Sequence, residues 1–187
     1  YHPLLVTATT DVPTALGRAN LLNLRERGID SVEVTPNPVI RRKLNRITLE
    51  TIGDPEWPEH RLIWATPSRV AKEMGIGVVM YGEVPENEYS GGAQDAIRLT
   101  KRWASEYGGE LGLRPADLIG VEGITAADMW PYQHADTEDI WALFLGAFYP
   151  WDGWRNGLIA EAHGFRPYGR LVEGNLSETE NLDNALI

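Results

Sequence analysis

Short apolar runs alternate with amphipathic segments in the first 81 residues, and this alternation constrains the fold more than any other feature. The apolar runs Leu4–Ala8, Ser31–Thr35 and Ile76–Tyr81 each end in polar or turn-forming residues, as buried strands do. Between them, apolar residues recur at intervals of three and four, which indicates helices. Strands separated by helices at this spacing form parallel crossover connections. The sequence therefore predicts an α/β fold with a parallel sheet flanked by helices.

Capping residues and glycines predict where the helices between these strands begin and end. Each helix is expected to start at a polar cap next to a proline and to end at a glycine. From cap to glycine, the predicted bounds are 11–28, 37–53 and 66–75. Residues 54–59 contain two prolines and are predicted to form a loop between the last two helices.

The second half of the chain has a less regular pattern and is predicted to be more helical. Helices are predicted over 93–107, 114–119 and 125–130, and from an Asp152 cap to His163, with a late strand over 144–149. Neither a linker nor a repeat divides the sequence. Residues 1–187 are therefore predicted to form a single α/β domain.

The composition excludes several functional classes. The formal net charge of −10 on 187 residues disfavours nucleic acid as a partner, because such a surface repels phosphate polymers. The absence of cysteine excludes disulfides, thiolate zinc sites and thiol nucleophiles, and the four histidines lack the short spacing of zinc ligands, so we assign no metal ligand.

No stretch reaches the ~20 apolar residues of a membrane span, and the sequence does not begin with a signal-peptide pattern. We therefore expect a cytoplasmic protein.

Polar residues follow each predicted strand of the first half. They form loops at 9–11, 36–38 and 82–89, and the carboxyl ends of parallel strands meet at the edge where α/β proteins bind ligands. The third loop gathers carboxylates, an amide and an aromatic ring, which suit magnesium or sugar hydroxyls. The same composition is typical of a solvated acidic loop, so both interpretations stay open.

Two further groups of residues have both a functional and a structural interpretation. Arg41, Arg42 and Arg46 lie near the start of a helix after a strand, where cations can contact phosphate or simply form a solvated helix face. Trp151 and Asp152 precede a predicted helix, where an aromatic ring can stack on a sugar or belong to the core.

Seven blocks in chain order resemble the N-acetyl sugar amidotransferases, which are ATP-dependent enzymes of the PP-loop superfamily. Enzymes of this family act in the synthesis of bacterial surface polysaccharides such as lipopolysaccharide. Because several blocks match in register along nearly the whole chain, the resemblance is more specific than any single motif. The blocks are 16–24, 35–46, 81–83, 87–89, 148–152, 173–174 and 181–183.

The resemblance implies a PP-loop ATPase-like fold and a defined reaction. In such enzymes the N-acetyl carbonyl oxygen attacks ATP and takes its adenylyl group, and pyrophosphate leaves. Ammonia from a partner glutaminase then displaces AMP and gives an acetamidino sugar. Activation is needed because an amide carbonyl is a poor electrophile, and Mg²⁺ with cationic side chains would offset charge on the pyrophosphate. The implied cofactors are thus ATP and Mg²⁺, and the implied substrate is an N-acetyl sugar or a sugar nucleotide.

The resemblance also assigns roles to individual residues. Glu83 and Arg41 are expected to be catalytic, with Glu83 beside the adenylylated carbonyl and Arg41 on the pyrophosphate. The residues expected to bind the nucleotide are Ala8, Thr9, Thr10, Thr35, Asn37 and Gly82. The residues expected to bind the substrate are Tyr81, Asn87, Glu88, Tyr89, Arg42, Arg46, Trp151 and Asp152.

One departure from the family pattern concerns the PP-loop itself. The motif Ser-Gly-Gly-x-Asp-Ser is expected before Leu4, where the sequence has only Tyr1-His2-Pro3, and residues 90–96 do not fit it. We therefore expect the sequence to be the middle and later part of a longer enzyme and to be inactive alone. The alternatives are another PP-loop amidating or thiolating enzyme, and a non-catalytic module that binds a sugar nucleotide or docks the glutaminase.

Overall fold

The computed structural model describes residues 2–9, 12–83, 97–106, 111–135, 139–171, 177–179 and 182, with only the backbone described at 105 and 106. Four predicted site residues, Thr10, Asn87, Glu88 and Tyr89, lie outside the described residues.

Strands and helices alternate through the first half of the described chain, as predicted, and the protein has a mixed helix and strand fold. Short 3-10 turns connect the later elements. The strands are β1 (Leu4–Ala8), β2 (Asp30–Val34), β3 (Val78–Tyr81) and β4 (Trp141–Phe144). The helices are α1 (Ala15–Glu26), α2 (Pro38–Ile52), α3 (Trp57–Met74), α4 (Lys101–Glu106), α5 (Ala126–Met129) and α6 (Gly153–Ala162).

The described strands form two small sheets instead of the one continuous sheet that we expected. β1 pairs with β2, whereas β3 pairs in parallel with β4, from Val78 opposite Trp141 to Tyr81 opposite Phe144. On its other edge β4 is bridged by Arg98, which pairs antiparallel with Leu143. The apolar run of β3 predicts a buried strand but cannot specify its neighbour, because its partner lies some sixty residues downstream.

The chain divides into two compact units. The first unit comprises Tyr1–Leu5, Thr9–Glu33 and Trp151–Ile187, and the second comprises Val6–Ala8 and Val34–Pro150. A single domain was predicted, and the sequence shows no linker at any of the four boundaries between the units.

Within the first unit, side-chain amides of α1 hold the segment that follows α6. Asn20 donates to the Arg166 carbonyl oxygen at 3.0 Å and accepts from the Arg166 amide at 2.9 Å, and Asn23 donates to the His163 carbonyl oxygen at 2.9 Å. Gly164 has a φ of +83°, and a Cβ there would lie 2.4 Å from Asn23 Oδ1. Two asparagines of the first resembling block thus have structural roles.

The predicted ends of α2 are confirmed. Asn37 Oδ1 accepts a hydrogen bond from the Val39 amide at 2.9 Å, Pro38 occupies the first turn, and Gly53 ends the helix with a φ of +77°. The capping box of Thr125 with Asp128 is also present at α5. These signals are local, so the sequence alone specifies them.

Three predicted bounds are wrong. α3 begins at Trp57, inside the predicted loop, and runs through Pro67, where we expected a new helix to start. α1 is capped by Thr14, not Asp11. The predicted strand over 144–149 is instead the end of β4 followed by a 3-10 turn at Leu145–Ala147.

The continuity of α3 through Pro67 has a physical reason in its burial. A proline inside a helix removes one backbone hydrogen bond. α3 nevertheless buries residues along most of its length, and this tertiary burial outweighs the local cost.

α3 contributes to two hydrophobic clusters of the second unit. Trp57 and Leu62 belong to the first cluster and Trp64 to the second, so that one helix supports both. The first cluster comprises Leu44, Ile47, Trp57, Leu62, Leu118, Ile124, Met129 and Tyr132. The second comprises Trp64, Tyr81, Leu99, Trp103, Ala104, Ala142 and Phe144.

Candidate functional site

The carboxyl ends of β3 and β4 lie side by side in the second unit. The parallel register places Tyr81 opposite Phe144, and the Gly146 amide donates to the Glu83 carbonyl oxygen at 3.4 Å. We call residues 82–83 and 145–149 the β3–β4 edge. It contains residues from two blocks of the family resemblance, 82–83 and 148–149, that lie more than sixty residues apart in the sequence.

Glu83 is the acidic residue of this edge. It follows Tyr81 by two residues. Burial raises the pKa of the Tyr81 hydroxyl, and the charge of the Glu83 carboxylate adds to this rise. The Glu83 side chain is half-buried and its Oε2 atom is shielded from solvent. A carboxylate in this position can accept hydrogen bonds or a proton from a group bound at the edge.

Tyr81 supports the edge from the core. Its hydroxyl donates to the Trp64 carbonyl oxygen at 3.2 Å, and its ring centroid lies 5.2 Å from that of Trp64 and 5.8 Å from that of Phe144. Although sequence reasoning placed Tyr81 against the substrate, the structure buries it in the second cluster, where it fixes the end of β3.

Two exposed aromatic residues complete the β3–β4 edge. Phe148 and Tyr149 follow the 3-10 turn after β4, and their amides both donate to the Leu145 carbonyl oxygen, at 3.0 and 3.1 Å. Sequence reasoning included them in a resembling block without assigning them a role. The signal that could have found them is a pair of adjacent aromatics just after a strand.

The carboxyl end of β2 is built differently. Thr35 is exposed there, Pro36 is buried, and the Asn37 side chain caps α2. Ala8, at the carboxyl end of the paired strand β1, packs against the first hydrophobic cluster. Thr9 belongs to the first unit and is half-buried.

Arg41 is buried between α2 and α3. Its guanidinium donates to the Glu59 carboxylate, and the two side chains are 3% and 15% exposed. An ion pair this shielded from water holds the two helices together. The predicted contact of Arg41 with pyrophosphate would therefore compete with a structural bond.

The other cations of α2 lie at its surface. Arg42 is exposed, and Arg46 donates to Glu50 at 3.0 Å and to Glu122 at 2.5 Å. The hydrogen bond from Arg46 lowers the pKa of Glu122, whose φ of +47° lies in the left-handed region. Lys43 donates to the Glu122 carbonyl oxygen at 2.9 Å, so α2 fixes this strained turn.

A half-buried histidine, not identified from the sequence, follows a turn to which two arginines of α3 donate hydrogen bonds. Arg61 donates to the Tyr132 carbonyl oxygen at 3.0 and 2.8 Å, and Arg69 donates to the Trp130 carbonyl oxygen at 2.8 Å. Burial, with added repulsion from Arg61, lowers the pKa of His134 to about 3. The imidazole is therefore neutral at pH 7.

In the first unit, Trp151 is exposed and Asp152 has a structural role. Asp152 Oδ1 accepts from the Arg155 amide at 3.0 Å and caps α6, as predicted. The sequence signal for the cap was correct, and the predicted sugar contact of Trp151 and Asp152 stays a prediction.

The described residues hold no group of three or more histidines or carboxylates close enough to bind a metal. Mg²⁺ in ATP-dependent enzymes is commonly held by one or two carboxylates together with substrate phosphates. Among the described helices, none is both long and apolar enough to cross a membrane.

No protein-family model matches the chain, and a search of curated proteins finds no match either.

Proposed function

We propose that this chain forms the acceptor-sugar region, with part of the nucleotide-binding region, of an ATP-dependent amidotransferase that acts on an N-acetyl sugar. The observation that carries the proposal is the β3–β4 edge, where the carboxyl ends of two parallel strands lie side by side and the Gly146 amide donates to the Glu83 carbonyl oxygen. Ligands of α/β proteins bind at carboxyl ends of strands, which supports placing the reacting carbonyl there.

In this proposal, Glu83 acts on the step in which ammonia replaces oxygen. Ammonia from the partner glutaminase forms a bond to the acetyl carbon, and the activated oxygen leaves with AMP. The nitrogen must lose protons as the acetamidino group forms, and the Glu83 carboxylate accepts one of them. Tyr81 and Trp64 hold the strand end that carries Glu83, so the carboxylate is positioned before substrate binds.

The proposed nucleotide contacts lie at strand ends. Of the predicted nucleotide contacts, Gly82 belongs to the β3–β4 edge and is kept in this proposal, whereas the Asn37 side chain already caps α2. Arg42 and Arg46 are the exposed cations proposed for phosphate. When bound, Mg²⁺ would neutralise charge on the departing pyrophosphate.

A Glu83→Gln substitution in the full-length gene product tests this function. The assay supplies ATP, an N-acetyl sugar and ammonium chloride, which bypasses the glutaminase, and it measures AMP release. We expect the variant to lose roughly 100-fold or more in rate, because an amide cannot accept the proton.

Glu73→Gln, on the exposed end of α3, is the matched control and should keep the wild-type rate. Equal AMP release by Glu83→Gln and Glu73→Gln would remove Glu83 from the reaction.

The second candidate is a non-catalytic module that binds a sugar. Sugar binding by the full-length protein without any ATP-dependent AMP release would identify this second function.

A further inference from the structure

We propose that α6 is a dimerisation helix, which packs antiparallel against α6 of a second copy of this chain. The residues that carry the proposal all belong to the first unit, so it does not depend on the proposed function. Three features support it: the reversed distribution of side chains on α6, the small number of buried residues in the first unit, and the complementarity of the exposed face to itself.

The large apolar side chains of α6 face solvent, and a small residue faces the protein. Trp154 is 79%, Leu158 53% and Ile159 51% exposed, and none of the ten residues of the helix is buried. The protein side is marked by Gly157, where a Cβ would lie 3.6 Å from Thr179 Cγ2. A surface helix normally turns its large apolar residues towards its own domain. The reverse distribution on α6 indicates that a partner covers its outer face.

The first unit has few buried residues of its own. Among its described residues only Gly17 and Leu182 are buried, whereas both hydrophobic clusters belong to the second unit. A helix of ten residues is marginally stable without packing, so α6 needs apolar burial beyond the Asn23 hydrogen bond to the His163 carbonyl oxygen at its end. Packing against a second copy supplies that burial.

The exposed face of α6 is complementary to itself in both charge and size. Arg155, Leu158 and Glu161 are all exposed and follow one another at intervals of three, which places them in one row along the helix. In an antiparallel pair with Leu158 on the two-fold axis, Arg155 lies opposite the partner's Glu161. The same register places the bulky Trp154 opposite the partner's Ala162.

This complementarity identifies a second copy as the partner and fixes its orientation. A two-fold interface uses the same surface on both chains, so each contact of Arg155 with the partner's Glu161 occurs twice. A parallel pair would instead place like charges beside each other, which disfavours that orientation.

The size of the face predicts how strongly the two copies associate. A helix of ten residues spans about 15 Å. Two such helices bury less than the roughly 800 Å² per partner of a standard interface, which is typical of a reversible complex. We therefore expect a dissociation constant on the order of 10 µM at about 0.15 M salt, which screens the repulsion between two acidic chains.

Sedimentation velocity of the 187-residue chain tests the proposal over a series from about 1 to about 200 µM, which brackets the expected dissociation constant. We expect the sedimentation coefficient of the wild-type chain to rise with concentration from that of a monomer to that of a dimer. Leu158→Glu places two like charges at the two-fold axis and should raise the dissociation constant at least tenfold.

Met74→Glu is the matched control, because Met74 is an apolar residue of the second unit that is 58% exposed and gains the same charge. It should dimerise as the wild type does. A wild-type chain that stays monomeric throughout the series, or a dimer that Leu158→Glu and Met74→Glu weaken equally, would overturn the proposal.

Reversing the charges tests the antiparallel register itself. Arg155→Glu and Glu161→Arg each replace two opposite-charge contacts with like-charge contacts, and each should weaken the dimer about tenfold. The double variant Arg155→Glu/Glu161→Arg restores opposite charges and should recover wild-type affinity. Both substitutions agree with the helix dipole, so loss of the dimer would not come from a weakened α6. A double variant that dimerises no better than the single variants would contradict this register and overturn the proposal.

Discussion

The ends of β2 and β3 look alike in the sequence but are used differently in the structure. Both strands are followed by polar residues, yet at β2 these residues enter a helix: Asn37 caps α2, and Arg41 pairs with Glu59 in the interior. At β3, Glu83 lies beside the turn after β4, where Phe148 and Tyr149 are exposed. The side chains at the β2 end hold helices, whereas the β3 end lies beside the turn that follows β4.

The difference teaches that a polar residue after a strand can serve the fold itself, as the cap and the ion pair at the β2 end do. Arg41 and Asn37 satisfy the sequence criterion for phosphate or nucleotide contact, but each already has a structural partner. Stability measurements on the β2 end and binding measurements on the β3 end therefore separate the two roles.

Breaking the Arg41–Glu59 pair should have the largest effect on stability. Arg41→Met leaves the Glu59 carboxylate without its buried cation, which should lower the free energy of unfolding by about 3 kcal/mol. Urea denaturation followed by tryptophan fluorescence measures the change. Arg41→Met/Glu59→Met removes both charges and should recover most of the loss.

The matched control for this pair is Arg42→Met, at an exposed neighbouring position of α2. It should stay within about 0.5 kcal/mol of wild type. If Arg41→Met were as stable as Arg42→Met, the Arg41–Glu59 pair would not hold the two helices together. The comparison between the two strand ends would then fail.

His134 should make the second unit sensitive to acid. Its pKa is about 3 in the folded protein and near 6.5 in the unfolded chain, so the unfolded chain takes up the proton first. Stability should therefore fall as the pH drops below 6.5 towards 3, by about 2 kcal/mol between pH 7 and pH 4.5. His134→Gln should flatten the dependence of the urea midpoint on pH, and exposed His2→Gln should leave it unchanged. An equal slope in both variants would contradict the buried neutral state.

The Asn37 cap should give the smallest effect of the three. Asn37→Ala removes the acceptor of the Val39 amide and should cost about 1 kcal/mol, whereas Asn37→Asp keeps the cap and should be neutral or stabilising. Thermal denaturation compares the two variants. Equal melting temperatures for Ala and Asp at this position would show that the cap does not hold α2.

The sequence predicts those parts of the fold that local chemistry decides. The cap at Asn37, the glycine end at Gly53, the capping box of Thr125 with Asp128 and the Asp152 cap each depend on residues within one or two turns. For such features the side chain and the backbone group it satisfies are neighbours in the chain. The local sequence is therefore sufficient to predict these caps and helix ends.

The parts that depend on distant partners were not predictable in the same way. The pairing of β3 with β4 and the passage of α3 through Pro67 follow from burial in clusters assembled across the second unit. Glu83 was identified because it follows a strand directly. The contact between the turn after β4 and Glu83 was not predicted, because the pairing of β3 with β4 is specified by tertiary packing.

Hydrogen exchange with N-acetylglucosamine tests most directly the claim that the β3–β4 edge binds the acceptor sugar. The experiment compares amide exchange in the 187-residue chain with and without the sugar. We expect slower exchange at residues 82–83 and 145–149, and unchanged exchange at residues 35–41. Slower exchange at 35–41 with no change at 145–149 would contradict the account.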